Sequence, residues 1–184
     1  MFDKTSNTLM IRLYKIIGYI RDFNYRRGAH FAWAVFAELY KNDQFKNVWK
    51  DIETKEHING LEIIRKKLQN VEFYVEDRRC DLDKFIYDIN DSILQAELFF
   101  ELARINESEV DARSPYESHV RDGIYKLELN RKGIVLYFYF WGSITVVTNG
   151  FIDAKGKGDI KQLELAKERR DKHLNRIYGE YDEW

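Results

Sequence analysis

Three consecutive segments near the carboxyl end constrain the fold of this chain more than any other feature. They read GIYKLELN (residues 123–130), GIVLYFYFW (133–141) and SITVVTNGF (143–151). Each is rich in the β-branched and aromatic residues that favour strands. Short turns containing Gly133 and Gly142 separate them. Because connections of this length join antiparallel neighbours, the segments predict a three-stranded antiparallel meander.

The residues before this meander repeat their apolar positions at helical spacing. Leucines and isoleucines between residues 9 and 20, FAWAVFAELY (31–40), and two further segments up to residue 70 predict three or four helices. From residue 71 the pattern changes, since VEFYVED (71–77) alternates apolar and polar positions and predicts a strand. The first 70 residues are therefore predicted to form a helical domain or extension.

Residues 71–184 are predicted to form a second, α+β domain. Two helices are expected between residues 82 and 102, and a closing helix from about Asp159 to about Arg176. The polar segment INESEVDARSPYESH (105–119) holds Pro115 and is expected to be a loop. The resulting order is β-α-α-β-β-β-α, an antiparallel sheet with one face covered by helices.

Charge divides the chain in the same place. Residues 1–70 carry 13 Lys and Arg against 8 Asp and Glu, whereas residues 71–184 carry 17 against 23. The net charges are thus +5 and −6, so the two parts either attract each other or address different partners. No segment has the pattern of a signal peptide or a membrane span, and we expect a cytoplasmic protein. Cys80 stands alone, without a recognisable metal-ligand set.

Four motifs of the second part, in their order and spacing, resemble one known family. They are SPYESHVRDGIYKLEL, YFYFW, VVTNGFI and LELAKERRDKHL. About residues 71–176 resemble the RelE/ParE toxin superfamily, specifically its phage-derived HigB-like branch. The resemblance implies a compact toxin of a type II toxin–antitoxin pair that cleaves mRNA, commonly on the ribosome, without a metal or other cofactor. The first 70 residues carry no such resemblance.

The chain departs from the family pattern at several cationic positions. The strand motif usually reads GIYELR in the family, and here its arginine position is Glu128. A second arginine position falls near Val135, and the loop that is typically KKTQKTP reads DAKGKGD (153–159). A carboxylate at Glu128 repels a phosphate, so these departures bear directly on catalysis.

The resemblance also implies a set of site residues. Metal-free RNA cleavage needs a proton acceptor for the 2′-OH, a donor for the leaving oxygen and cations facing the phosphate. His119 and Arg121 lie where the family often carries a histidine and a lysine near the site, so His119 is the candidate proton-transfer group. Arg121 is assigned to catalysis beside it, as a phosphate contact. The alternative for His119 is a surface histidine of a loop.

Candidate RNA contacts lie on the strands and in the glycine-rich loop. Glycines around Lys155 and Lys157 would let backbone amides approach a phosphate, although such a loop is also an ordinary connector. Lys126 shares its strand face with Glu128 and is either an RNA contact or a solvated lysine. Asn149 either contacts a nucleotide or holds the end of its strand.

Aromatic residues of the second strand of the meander offer a stacking surface. Tyr137 and Tyr139 lie on one strand face, and Phe138 and Phe140 on the other. One pair is expected in the core, and the tyrosines either line a nucleotide cleft or are core residues too. Tyr139 is assigned as a stacking or auxiliary acid group.

Two functions follow as hypotheses. The first is a HigB/RelE-like endoribonuclease whose partners are mRNA, the ribosome and a cognate antitoxin, with no membrane, and with self-association left open. The alternative is a catalytically degenerate toxin-fold protein that binds another protein, with the basic amino-terminal helices covering the acidic domain. Neither expects a bound metal.

Overall fold

The computed structural model describes residues 30–77, 79–105, 117–129, 133–153 and 160–179, with backbone alone at 30–31, 117–118 and 178–179. Within these ranges the chain forms six strands and six helices. The strands are β1 (His30–Phe31), β2 (Val71–Phe73), β3 (Glu117–Arg121), β4 (Ile124–Leu129), β5 (Ile134–Trp141) and β6 (Ile144–Ile152). The helices are α1 (Ala32–Leu39), α2 (Asp43–Glu56), α3 (Gly60–Leu68), α4 (Asp81–Asp88), α5 (Ser92–Ile105) and α6 (Ile160–Gly179).

The strands form one mixed sheet in the order β1-β2-β6-β5-β4-β3. The predicted α+β class and the β4-β5-β6 meander are both confirmed. A wholly antiparallel sheet is wrong, because β2 pairs with β6 in parallel. The α4–α5 pair and the meander together provide the long crossover that a parallel pair requires.

Strand β3 corrects the prediction of a loop up to residue 119. Glu117–Arg121 pairs with β4 through a tight turn in which Asp122 and Gly123 have φ angles of 52° and 74°. Positive φ at both central residues is typical of a type I′ hairpin turn, for which Asp-Gly is a favoured sequence. The strand is polar because it lies at the edge of the sheet, where charged residues oppose further strand pairing.

Helices α1 to α5 contribute to a core on one face of the sheet. Phe36 lies near its centre, with ring centroids 5.0 Å from Trp49, 5.4 Å from Phe45 and 5.4 Å from Phe99. Phe99 belongs to α5, so residues from both sides of position 70 contribute to this core. Three helices lie between residues 32 and 68, as the helical periodicity of that part predicts, and the helix predicted between residues 9 and 20 lies outside the described residues. The division into folding units at residue 70 stays a prediction.

Helix α6 covers the other face of the sheet, so helices lie on both faces and not on one. Beneath it is a second apolar cluster that includes Tyr137, Tyr139, Val146 and Ala166. Strand β5 is consequently buried on both faces over most of its length, which explains its nearly continuous apolar sequence. Among the described helices, none is both long and apolar enough to cross a membrane.

Candidate functional site

A row of polar side chains crosses the sheet on the face that α6 covers. In the strand register, Lys126 of β4 pairs with Tyr137 of β5, and Tyr137 pairs with Asn149 of β6. Paired residues of neighbouring strands point to the same face. The row therefore brings together two predicted RNA contacts from motifs more than twenty residues apart in the chain.

The cation of this row forms an ion pair. Lys126 Nζ donates to Glu128 Oε2 at 2.8 Å, and the two side chains are 37% and 31% exposed. The predicted shared face of the two residues is confirmed. Ion pairs that are this exposed contribute little free energy. An incoming phosphate can therefore displace the Glu128 carboxylate from Lys126 at a small cost.

Asn149 holds the end of β6 against the first turn of α6. Its Nδ2 donates to the carbonyl oxygen of Gln162 at 3.1 Å and to the Gln162 side chain at 2.9 Å. Its Oδ1 accepts a hydrogen bond of 2.8 Å from Thr148, and the residue is buried. Of the two roles predicted for Asn149, these contacts favour the structural one.

Tyr139 forms a buried hydrogen bond with α6. The Tyr139 hydroxyl and Nδ1 of His173 are hydrogen-bonded, and both residues are buried. Burial, and secondarily the charge of Arg176, lowers the pKa of His173 to about 4. Burial, and secondarily the carboxylate of Glu72, raises the pKa of Tyr139. At neutral pH the imidazole and the phenol are therefore both neutral, and they share this hydrogen bond without a charge on either group.

His119 lies on the opposite face of the sheet from this row. It is exposed on β3, and its ring contacts Tyr125 edge-on at 5.2 Å. Tyr125 stacks on Phe138, which belongs to the core formed with α1 to α5. His119 and Tyr139 thus do not form the single site that was predicted, because the strand alternation places them on different faces.

Arg121 lies on the α6 side but is bound to acidic side chains. Its Nε donates to Asp122 at 3.1 Å, and its Nη2 lies 3.9 Å from Glu164 of α6. The predicted phosphate contacts Lys155 and Lys157 lie outside the described residues. The groups predicted for catalysis are consequently divided between two faces of the sheet.

A cleft that the motif analysis does not predict opens where β2 ends and α6 passes. It has a volume of about 390 Å³ and is lined by six residues: Tyr74, Glu76, Asp77, Arg79, Asp81 and Arg169. The clustered arginines and acids of EDRRCD (76–81) are visible in the sequence. Arg169 comes from a helix 88 residues beyond Asp81, so only the fold brings it to the cleft.

The charged residues of α6 are largely bound to acidic groups. Lys172 pairs with Glu76 at 2.7 Å and, one helical turn away, with Glu168 at 2.8 Å. Lys167 pairs with Asp122 at 2.8 Å. Ion pairs of its lysines therefore hold α6 against the sheet, in addition to the packing of its apolar face.

No cluster of three or more His, Cys, Asp or Glu side chains that could hold a metal ion occurs in the part of the chain that the structure describes. Cys80 is buried, and burial raises the pKa of its thiol well above the usual value. The thiol is therefore protonated at neutral pH, which makes it a poor nucleophile.

Comparison with known proteins adds no assignment. No model of a known protein family matches the chain, and no curated protein matches it either.

Proposed function

We propose that the chain is a HigB/RelE-like toxin that acts on RNA. The observation that carries the proposal is the part-exposed pair of Lys126 and Glu128, which lies at one end of the row in which Tyr137 and Asn149 are buried. Lys126 and Asn149 belong to DGIYKLEL and TNGFI, parts of two of the motifs that carry the resemblance. The order β2-α4-α5, then β4-β5-β6 and α6 also agrees with the arrangement that the resemblance implies, with β3 added.

Lys126 can bind RNA when it exchanges the Glu128 carboxylate for a phosphate of the RNA. Lys126 would face a phosphate, and the Glu128 carboxylate beside it would be a proton acceptor within the same strand face. His119 does not belong to this arrangement, because its side chain lies on the other face. Lys155 and Lys157, which follow β6 in the sequence, stay proposed phosphate contacts. The partners proposed are mRNA on the ribosome and a cognate antitoxin.

The experiment is inducible expression in a bacterium, with growth and the integrity of translated mRNA followed together. The wild type is expected to slow growth and to fragment mRNA. Lys126→Ala removes the cation of the row and should reduce both effects, whereas Lys66→Ala, which changes an exposed lysine of α3, should reduce neither. Normal growth with intact mRNA under wild-type expression would refute a toxin that cleaves RNA.

A second candidate is a toxin-fold protein that binds a partner protein without cleaving RNA. The Lys126–Glu128 ion pair favours it, because the row carries no net charge while this pair is closed. Glu128→Arg separates the candidates. It replaces a repulsive carboxylate by a cation, so an RNA-binding surface should bind RNA more tightly. If this surface instead binds a protein through the ion pair, Glu128→Arg should weaken binding of that protein and leave RNA binding unchanged.

A further inference from the structure

The cleft between β2 and α6 has the chemistry of a binding site that is separate from the strand row. Its volume of about 390 Å³ falls in the range of about 300–1,000 Å³ that is usual for small-molecule sites. Three of its lining side chains are hydrogen-bond donors: Tyr74, Arg79 and Arg169. What the cleft can bind depends on which of these donors are already occupied.

Arg169 is a fixed wall of the cleft. Its Nη1 donates to the carbonyl oxygen of Thr148 at 2.8 Å, and its Nη2 donates to the carboxylate of Asp81. The guanidinium also lies over the ring of Tyr74, 5.4 Å from its centroid. The residue is buried, and its Nε–H has no hydrogen-bond partner among the described residues. A guanidinium held in this way is preorganised, so its remaining Nη hydrogens can donate to a ligand at little further entropic cost, while the Asp81 carboxylate balances its charge.

Arg79 is the second arginine that lines the cleft. A tight turn fixes its position, because the backbone amide of Arg79 donates to Glu76 at 2.7 Å and that of Glu76 donates back to Arg79 at 3.0 Å. The exposed Arg79 guanidinium makes no ion pair within the described ranges. The Arg79 guanidinium is therefore available to bind an anionic ligand.

Tyr74 supplies a neutral donor to the cleft. Its hydroxyl has no hydrogen-bond partner in the described part of the chain, although the residue is largely buried. Burial, and secondarily the carboxylate of Glu76, raises the pKa of this phenol. The hydroxyl is consequently protonated at neutral pH and can donate to an anion.

The acids that line the cleft are mostly compensated. Glu76 pairs with Lys172 at 2.7 Å, and Asp81 pairs with Arg169. Asp77 is exposed at the tip of the turn, where its φ of 47° turns the chain. Once these pairs are counted, the Asp77 carboxylate at the rim opposes one guanidinium that forms no ion pair within the described residues, that of Arg79.

We propose that this cleft binds the phosphate group of a nucleotide-sized organic phosphate. Two guanidiniums and a phenol line the cleft as donors, and a phosphate group with three terminal oxygens can accept more of their hydrogen bonds than a carboxylate with two. The volume exceeds what inorganic phosphate alone would fill, so the organic part of the ligand lies in the remaining space. The proposal does not depend on RNA cleavage, and the site lies apart from the Lys126 row.

The test is calorimetric titration of the full-length protein with adenosine 5′-monophosphate, inorganic phosphate and adenosine. We expect the nucleotide to bind most tightly, inorganic phosphate more weakly, and adenosine without measurable heat. Equal binding of nucleotide and adenosine would overturn the phosphate assignment. Binding of inorganic phosphate alone would overturn the nucleotide-sized ligand.

Variants locate the binding in the cleft. Arg79→Gln removes a charge-assisted hydrogen bond and should weaken nucleotide binding about ten- to hundredfold. Arg65→Gln makes the same chemical change at an exposed position of α3 and should leave binding unchanged. Asp77→Asn removes the opposing carboxylate and should tighten binding a few-fold. If Arg79→Gln binds like Arg65→Gln, or if Asp77→Asn weakens binding, the proposal is wrong. None of these readouts involves growth or mRNA, so its failure is distinct from that of the proposed toxin.

Discussion

Two buried groups, one on each side of the sheet, should make opposite contributions to the pH dependence of the free energy of unfolding. Asp83 of α4 is 2% exposed, and burial raises the pKa of its carboxyl to about 7. His173 of α6 is 1% exposed, and burial lowers the pKa of its imidazole to about 4. Both groups therefore prefer their neutral forms in the folded protein, and the two titrations overlap between about pH 4 and pH 7.

The signs of the two contributions are opposite. Asp83 keeps its proton up to about pH 7 when folded but has an ordinary pKa of 3.8, so its contribution is present at low pH and is lost as the pH rises. His173 has an ordinary pKa of 6.5, so the unfolded chain takes up a proton first, and its contribution is lost as the pH falls toward about 4. With about 1.4 kcal/mol per pKa unit, the terms are about 4 kcal/mol for Asp83 and about 3 kcal/mol for His173.

The perturbation is to remove one titration at a time, with Asp83→Asn or His173→Asn, and to measure urea unfolding at several values between about pH 4 and pH 7. Asparagine at 173 retains an acceptor for the Tyr139 hydroxyl. The free energy of unfolding of Asp83→Asn should rise with pH by about 3 kcal/mol, and that of His173→Asn should fall by about 4 kcal/mol. For these two groups the wild type retains only the difference, about 1 kcal/mol, and the double variant should be nearly flat.

The comparison uses the slopes against pH, because each substitution also changes the stability by an amount that does not depend on pH. Asp88→Asn, at an exposed position of the same helix as Asp83, is the matched control and should keep the wild-type slope. If Asp83→Asn and His173→Asn both keep the wild-type slope as well, burial does not displace these titrations and the reasoning is refuted.

Three further substitutions test the packing. Gly150→Ala should lower the free energy of unfolding by about 1–3 kcal/mol in urea, because an added Cβ would lie 2.6 Å from Leu136 and 2.7 Å from Phe85. Asn149→Ala should cost about 1–3 kcal/mol in the same assay, since it leaves buried groups at the start of α6 without partners, and unchanged stability would contradict its structural role. Phe36→Ala should lower the stability by about 3–5 kcal/mol and reduce the thermal midpoint, and a much smaller loss would mean that Phe36 is not central to the core.

The elements that local sequence determines were predictable, and those that depend on distant pairing were not. The β4-β5-β6 meander follows from strand-forming residues and short turns, and these are local signals. The parallel pairing of β2 with β6 joins Val71 to Thr145, and no property of either segment specifies that partner. Strand β3 is intermediate, because its polar sequence resembles a loop, yet the Asp122-Gly123 dipeptide is a hairpin signal available in the sequence.

The same distinction applies to the candidate site. The shared face of Lys126 and Glu128 follows from the two-residue alternation of a strand, and the structure confirms it. The Tyr139–His173 hydrogen bond spans 34 positions, so the buried role of Tyr139 depends on where α6 lies. His119 shows the limit of motif reasoning. It lies close in sequence to other predicted site residues, but that closeness does not determine on which face of the sheet its side chain lies.

Helix α6 shows why the charge of a segment does not by itself specify a ligand. Its cations are attached to acids of the sheet and of neighbouring turns: Lys167 to Asp122 and Lys172 to Glu76. These contacts neutralise charge that a sequence count would assign to an RNA surface, and they also compensate acids that would otherwise repel an anion. The groups that remain for an outside anion are therefore selected by pairing geometry and not by composition. By this criterion Arg79, which forms no ion pair in the described residues, supplies the net positive charge of the proposed phosphate site, and Arg169 of α6, already paired with Asp81, adds hydrogen-bond donors.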